Sequence, residues 1–261
     1  MRNAVRELGL TLWKDEGTSG PMRNLYLPLA LAALTFTGHA QTMPTQNPSS
    51  TITAFEAKKD VDLNLDPHSA FWKPAQPVFI TADTMGKPAP YRTEVRARWT
   101  KDNLYLLYVA PYDDLNLKPE PDTVNETNRL WNWDVAEAFI GSDYQNIRQY
   151  KELEVSPQGE WVDLNIDLDK KGNHDAIKWD SGYKVAAHID KDKKIWYAAM
   201  KIPFSSIDNR PPTPGQTLRI GLFRCAGTTA NRLILSWQPT MSMTFHSPEH
   251  FGTLLLASSK K

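Results

Sequence analysis

The stretch Arg92–Ala110, RTEVRARWTKDNLYLLYVA, determines the fold class of this chain. In its first half Val95, Ala97 and Trp99 fall on one face of an extended chain, and the charged residues between them fall on the other. This period of two is typical of a half-buried β-strand. The polar KDN triplet follows as a turn, and the apolar half from Leu104 is the returning strand. The stretch therefore predicts an antiparallel hairpin.

The same alternation continues toward the C-terminus, where Pro- and Gly-containing turns separate the segments. Further strands are predicted at Val135–Gly141, Tyr150–Ser156, Trp161–Leu168, Gly182–Asp190, Ile195–Ile202, Leu218–Cys225, Leu233–Trp237 and Phe251–Ala257. No stretch of ten residues in this part has a capped helical period. Many short strands joined by turns predict an all-β fold, an antiparallel β-sandwich or jelly roll. The longest segment without a predicted strand, Pro111–Arg129, is expected to be a functional loop.

The N-terminal part predicts export. An apolar run, Leu25–Phe36, follows Arg23 and precedes the small-residue motif Gly38-His39-Ala40. This order is that of a secretory signal peptide, and the run is too short to span a bilayer. We expect cleavage near Ala40 and a secreted or periplasmic protein without a membrane span.

The domain organisation follows from that signal. A signal normally begins at the initiator Met, so we interpret Met22 as the true start and residues 1–21 as a mis-assigned extension. Residues 22–40 are then the signal peptide, and residues 41–55, rich in Thr, Pro, Ser and Gln, are expected to form a flexible leader. Residues 56–258 are expected to form the β-sandwich.

Composition excludes some partners. The 30 basic and 30 acidic side chains balance, whereas nucleic-acid binding requires an excess of Lys and Arg. The nine Trp residues are many for 261 residues, and Trp beyond the needs of a core often marks a binding surface. Cys225 is the only cysteine and lies in an apolar run, which favours a buried, inert thiol.

Catalytic motifs are absent from the sequence: it contains no nucleophile elbow, Walker A loop or dinucleotide fingerprint. Glu152 and Glu154 are two residues apart on a predicted strand and share a face, which we expect to be solvated. A glycoside hydrolase that uses Glu137 and Glu154 remains an alternative, because such enzymes use two carboxyl groups.

Three patterns in the sequence bear on a metal or haem site. Asp163–Asp169 resembles the start of a calcium loop but lacks the required Gly and Glu, so a half-buried strand is expected there. His246 and His250 have a metal-pair spacing, but Pro248 between them predicts a loop. A haem-binding electron-transfer sandwich would need axial ligands from Met241, Met243 and His246. No cofactor is assigned with certainty, and a structural calcium remains open.

Loop-borne aromatic residues suggest a sugar platform. LWNWD at 130–134 ends the long loop, and SWQPT at 236–240 and MTFHSP at 243–248 lie in the last loop. Sugar rings stack their C–H faces on flat aromatic rings, and neighbouring polar groups bind the hydroxyls. Composition alone does not separate this from Trp residues that close the ends of a sandwich core.

The order of these motifs resembles that of the family-nine carbohydrate-binding module over residues 60–257. The matching segments are Trp99 with NLYL at 103–106, WNWDVAEAFI at 131–140, ELEVSPQG at 152–159, KIPF at 201–204, Arg219 with Phe223-Arg224, SW at 236–237 and FHSPEHFG at 245–252. The resemblance implies a non-catalytic β-sandwich that holds a sugar between two aromatic rings.

The resemblance also implies the site residues. The first ring falls on Trp131 and the acid that binds the sugar falls on Glu137. The second ring falls on Phe245, where xylanase-attached modules have Trp. Glu154 stands where those modules have an Arg at the rim, and Ser242 where they have an Asn. The implied partner is a polysaccharide or oligosaccharide such as xylan, bound by a bacterial monomer in support of polysaccharide catabolism.

Overall fold

The computed structural model describes residues 50–170 and 179–259, which contain twelve β-strands, one short α-helix and three 3₁₀ turns. The α-helix is α1 (Phe204–Ile207). The strands are β1 (Thr51–Glu56), β2 (Val78–Asp83), β3 (Pro88–Trp99), β4 (Asn103–Pro111), β5 (Val135–Gly141), β6 (Gln149–Val155), β7 (Trp161–Asp167), β8 (Lys184–Asp190), β9 (Ile195–Pro203), β10 (Thr217–Ala226), β11 (Leu233–Ser236) and β12 (Gly252–Ala257).

The expected hairpin is present as β3 and β4, paired antiparallel from Glu94↔Val109 to Trp99↔Leu104. Val95, Ala97 and Trp99 are buried in the main core, as their alternation predicts. The strand is longer than expected and begins at Pro88. The predicted all-β class is confirmed.

The strands form two layers that face each other across this core. One layer runs in the order β7, β6, β5, β10, and β11 and β12 both pair along the free side of β10. The other layer runs β2, β3, β4, β9, β8. Apolar side chains from the inner faces of both layers, such as Leu106, Met200, Ala138 and Leu222, are buried together. This arrangement is a β-sandwich, and its strands pair almost entirely antiparallel.

The first strand is the exception, and it corrects the sequence prediction. Residues 51–55 were expected to belong to a flexible leader, but they lie in β1. This strand pairs in parallel with β12 from Thr51↔Thr253 to Phe55↔Ala257, and its end also pairs in parallel with β3. The two layers are thereby joined along one edge, and the pairing of β11 with β2 joins them again. The expectations for residues 1–21, 22–40 and 41–49 lie outside the described residues.

The segment between β1 and β2 covers the outer face of the second layer. Trp72 packs there with Tyr105 and Leu107 in a separate apolar cluster. Arg98 fixes the segment, because its guanidinium donates hydrogen bonds to the carbonyls of Phe55, Glu56 and Phe71. No helix in the described residues is long and apolar enough to cross a membrane.

The outer face of the first layer carries the features that matter for function. Side chains of β5, β6, β7 and β10 form a third cluster there, including Phe139, Tyr150 and Phe223. The loop between β11 and β12 folds over one side of this cluster and contributes Phe245 and Phe251 to it. The remaining side stays open as a cavity.

Candidate functional site

The cavity lies on the outer face of the first layer and has a volume of about 280 Å³. Strand residues form its floor: Glu137, Phe139, Glu152, Leu164, Ile166, Cys225 and Ile234. Two segments form its walls: Trp131 and Arg232 on one side, and Met243, Thr244, Phe245 and His246 on the other. The site therefore combines an apolar floor with a small number of polar groups, as is typical of small-molecule pockets.

Trp131 reaches the cavity from a 3₁₀ turn, Leu130–Asn132, at the end of the long loop. Arg232 holds this turn in place. Its guanidinium donates hydrogen bonds to the carbonyls of Trp131 and Trp133 and lies 3.6 Å from the Asp134 carboxylate. These contacts of Arg232 hold the backbone that carries the half-buried indole.

Phe245 forms the opposite aromatic wall. Its ring stacks on that of Phe223, with centroids 4.3 Å apart and planes at 16°, and it meets Phe139 edge to face at 6.3 Å. Because one of its faces covers Phe223, only the other face can serve a ligand. Phe245 is 8% exposed, so the ring is held firmly by its neighbours.

Three carboxyl groups meet at the floor. Glu137 of β5 lies directly opposite Glu154 of β6 in the strand register, and Glu152 follows on the same face. Carboxylate oxygens from all three residues lie within 4.8 Å of one another. All three side chains are buried, so the expectation that Glu152 and Glu154 lie on a solvated face is wrong. The loops of the outer face cover them.

Burial controls the ionisation of this group. Burial raises the pKa of Glu137 and Glu154 well above the usual range, and the neighbouring carboxylates raise it further. Burial also raises the pKa of Glu152 to about 7. Burial, followed by the charge of Glu137, raises the pKa of the Cys225 thiol, which lies 3.4 Å from a Glu137 oxygen. The thiol is therefore buried and unreactive, as its surroundings in the sequence predict.

His246 supplies a polar group at the rim. Its Nδ1 lies 2.6 Å from the Tyr150 hydroxyl, and burial raises the pKa of Tyr150, which remains protonated and donates this hydrogen bond. The side chain is 40% exposed, and desolvation lowers the pKa of His246 to about 4. The imidazole is thus neutral at pH 7, and Nε2–H is free to donate toward Glu152, 4.0 Å away, or toward a ligand.

The structure brings together three of the five residues expected at the site. Trp131, Glu137 and Phe245 line the same cavity. Glu154 lies behind Glu137, and its side chain is not part of the lining. Ser242 also lies outside the lining, and its carbonyl accepts a hydrogen bond from the Thr240 hydroxyl.

The other patterns take structural roles. Asp163, Asn165 and Asp167 lie on β7, as the alternation predicts. The segment of His246 and His250 is a loop ending in a 3₁₀ turn, Pro248–His250. Of the three haem-ligand candidates, Met243 and His246 line the cavity but Met241 does not.

Sequence reasoning missed several lining residues. Arg232 precedes β11 and carries no recognisable motif, and Leu164 and Ile166 read only as strand residues. The sequence shows that Glu152 shares a face with Glu154. The pairing of Glu152 with Phe139 of β5, which places it at the site, is visible only in the structure.

Comparison with solved structures shows the same fold in sugar-binding proteins. A Bacteroides uniformis protein described as a candidate carbohydrate-binding protein superposes with a TM-score of 0.61 at 16% identity, covering 79% of this chain and 98% of that one. A family 9 carbohydrate-binding module from Caldicellulosiruptor kristjanssonii in complex with cellotriose gives a TM-score of 0.57 at 11% identity, covering 81% and 95%. The glucose complex of a module from the same organism gives 0.56 at 11% identity, covering 81% and 97%.

A search of the curated proteins found no match. A sequence model of the family described as carbohydrate family 9 binding domain-like, by contrast, matches residues 66–259, which is most of the chain. The match spans β2 to β12 and includes every residue that lines the cavity. The chain therefore belongs to the carbohydrate family 9 binding domain-like family.

Proposed function

We propose that this domain binds a carbohydrate in the cavity between Trp131 and Phe245 without cleaving it. The observation that carries the proposal is the meeting of these two aromatic side chains with Glu137 in one cavity. Aromatic rings stack on the C–H faces of a sugar, and a carboxyl group and a neutral imidazole bind its hydroxyls. Membership of a carbohydrate-binding family supports the same assignment.

The polar groups around the cavity suit a neutral sugar. Glu137, Glu152 and His246 offer acceptors and donors on the floor and rim, whereas the guanidinium of Arg232 is already engaged by two carbonyls. The cavity volume of about 280 Å³ lies near the lower end of the range for small-molecule sites. A short saccharide or a chain end fits this size better than a long chain that lies flat on the surface.

The arrangement of carboxyl groups favours binding over hydrolysis. A glycosidase places its two carboxyl groups on either side of the scissile bond, about 5 Å apart or more. Glu137 and Glu154 instead lie side by side on neighbouring strands, and Glu154 does not reach the cavity. We further propose that the domain acts outside the cytoplasm in support of polysaccharide breakdown, following the predicted signal at residues 22–40.

Affinity electrophoresis and calorimetric titration against xylan, cellulose and chitin fragments test the proposal. We expect the intact protein to bind at least one of them and Trp131→Ala to lose binding. Trp179→Ala is the matched control, because this half-buried Trp packs under Lys151 and does not line the cavity. Absence of binding to every glycan, or equal binding by both variants, would contradict the proposal. Release of reducing sugar from a bound fragment would show hydrolysis instead.

A further inference from the structure

A second cavity, of about 440 Å³, lies where β1 and β2 separate. Because β4 pairs along one edge of β3, both β1 and β2 pair along the other edge, β2 up to Val78↔Val95 and β1 from Phe55↔Arg98. The two strands also pair with different partners, β1 with β12 and β2 with β11. The opening between them, which we call the notch, shares no lining residue with the cavity of Trp131.

The notch is lined by neutral polar groups, apolar groups and one charge. Its neutral polar groups are the hydroxyls of Thr51, Thr53 and Thr81 and the amide of Gln76. Among the described residues, Arg92 is the only charged one in the lining. The notch therefore carries a single positive charge beside several groups that can exchange hydrogen bonds with hydroxyls.

Arg92 presents its guanidinium to the notch without a carboxylate partner. Its Cζ lies 3.1 Å from the centre of the Phe79 ring, so one face of the guanidinium rests on that ring. Within residues 50–170 and 179–259 no carboxylate forms an ion pair with it. Arg96 and Arg98 of the same strand are engaged, the first by Glu94 and the second by backbone carbonyls. The exposed N–H groups of Arg92 are thus available to an external acceptor.

We propose that the notch binds a uronic acid residue, with its carboxylate on Arg92 and its hydroxyls on the threonines and Gln76. A guanidinium matches a carboxylate in charge and geometry, because two parallel N–H groups can donate to its two oxygens. The stacking on Phe79 holds the planar group in place, so less side-chain freedom is lost on binding. The apolar lining from Pro77 and Trp237 suits the C–H groups of a sugar ring.

The charge of the notch favours one carboxylate over a phosphate group. A phosphate monoester carries between about 1.5 and 2 negative charges at pH 7, and clusters of basic side chains usually bind it. Arg92 offsets one charge, and no second Lys or Arg of the described residues lines the notch. The volume of about 440 Å³ lies within the usual range for small-molecule sites. The site goes beyond the proposed sugar binding, because it lies outside that cavity and takes a charged ligand.

Calorimetric titration of the full protein with trigalacturonate and with glucuronate at low ionic strength tests the notch. We expect at least one of them to bind at one site per chain, and its affinity to fall with added NaCl, because salt screens an exposed ion pair. The methyl ester of the bound uronate has the same ring without the charge and should bind at least about tenfold more weakly. Acetate and inorganic phosphate should compete only at higher concentrations, because neither offers the hydroxyls of a sugar.

Arg92→Gln should lower the affinity for the uronate at least about tenfold and leave the binding of neutral glycans unchanged. Arg92→Lys should fall between this variant and the parent, because Lys keeps the charge but not the planar pair of donors. Arg148→Gln is the matched control, since Arg148 is exposed, pairs with Asp169 and lies outside the notch. It should bind the uronate as the parent does.

Trp131→Ala separates the notch from the sugar cavity, and it should keep the affinity of the parent for the uronate. Loss of uronate binding in Trp131→Ala would place the ligand in the sugar cavity and overturn the proposal. Failure of the parent to bind either uronate, equal binding of the acid and its ester, or unchanged binding by Arg92→Gln would also overturn it. Tighter binding of acetate or phosphate than of the uronate would contradict the assigned ligand. Titrations with neutral glycans show separately whether the proposed function holds.

Discussion

Phe223 supports Phe245 from below, ring on ring, with centroids 4.3 Å apart. The first belongs to β10 and the second to the loop that walls the cavity, so the strand sets the position of the loop. Phe245 can present a flat face to a sugar only while this support holds. The stacking therefore links the packing of the outer cluster to the proposed binding function.

Replacing Phe223 with Leu should lower the affinity for sugar while the protein still folds. Stacked aromatic pairs contribute about 0.5–1.5 kcal/mol beyond their buried area, so we expect affinity to fall about two- to tenfold. Calorimetric titration with the best-binding glycan measures this. Phe204→Leu is the control, since Phe204 packs against Trp99 in the main core and should lower stability alone. Equal sugar affinity in Phe223→Leu and the parent would contradict the supporting role.

Arg232→Lys should release the turn that carries Trp131. Lys keeps the charge but cannot donate to the carbonyls of Trp131 and Trp133 in the same geometry. We expect a loss of about 1–2 kcal/mol in the free energy of unfolding and a fall of about fivefold or more in sugar affinity. Denaturant unfolding and titration measure the two effects. Arg148→Lys, at an exposed pair with Asp169, should change neither, and a similar loss there would argue against a specific role of Arg232.

Gly252→Ala should destabilise the junction of the layers. An added Cβ would lie 2.5 Å from Cζ3 of Trp237 and 2.6 Å from the Ser50 carbonyl, so the indole or the backbone must shift. We expect a loss of about 1–3 kcal/mol in the free energy of unfolding. Gly141→Ala is the control, because its Cβ would meet only ordinary contacts from 3.5 Å outward. Equal stability of the two variants would show that the junction adapts freely.

The stability of the domain should fall as pH rises from about 4 to 6, in part through Asp134. Burial raises the pKa of Asp134 to about 6, although the charges of Arg224 and Arg232 oppose this. Between the unfolded pKa of about 4 and this value the folded state binds more protons, so unfolding becomes easier as pH rises. The contribution should reach about 2–3 kcal/mol and then level off above pH 6.

Urea unfolding of the parent and Asp134→Asn between pH 4 and 7 isolates this contribution. The variant should show a shallower decline over that window, because its side chain does not titrate. Identical pH slopes would mean that Asp134 ionises in the folded protein as it does in the unfolded chain. The control is Asp102→Asn, an exposed residue of the β3–β4 turn that should leave the slope unchanged.

The local pattern of polar and apolar residues was sufficient to predict most strands. It did not predict the strands that form only through pairing with distant segments. Val135–Gly141 is predicted with the observed bounds because it is a short, mostly apolar run between polar residues, as in a strand buried on both faces. Thr51–Glu56 follows a polar, Pro-rich stretch and becomes a strand through its pairing with β12, which no local signal reveals. Val78–Asp83 was missed for a similar reason, since it is short and gains its place between β3 and β11.

Site residues that belong to a recognisable motif could be predicted from the sequence. The burial of side chains by distant segments could not. Trp131, Glu137 and Phe245 follow from the resemblance, and all three line the cavity. The burial of Glu152 and Glu154 could not be foreseen, because two glutamates alternating on a strand look the same in sequence whether protein or water covers them. Arg232 could not be predicted as a site residue, because its hydrogen-bond acceptors are backbone carbonyls, which every residue has.

The parallel pairing of Thr51 with Thr253 sets the order in which the chain can reach its native state. The first and last strands of the described fold lie side by side, and both contribute buried side chains to the main core. Contacts between such distant positions slow folding, because the ordering of the intervening chain precedes the gain from the contact. A chain that lacks β12 would therefore leave the edge of β1 that faces it unpaired.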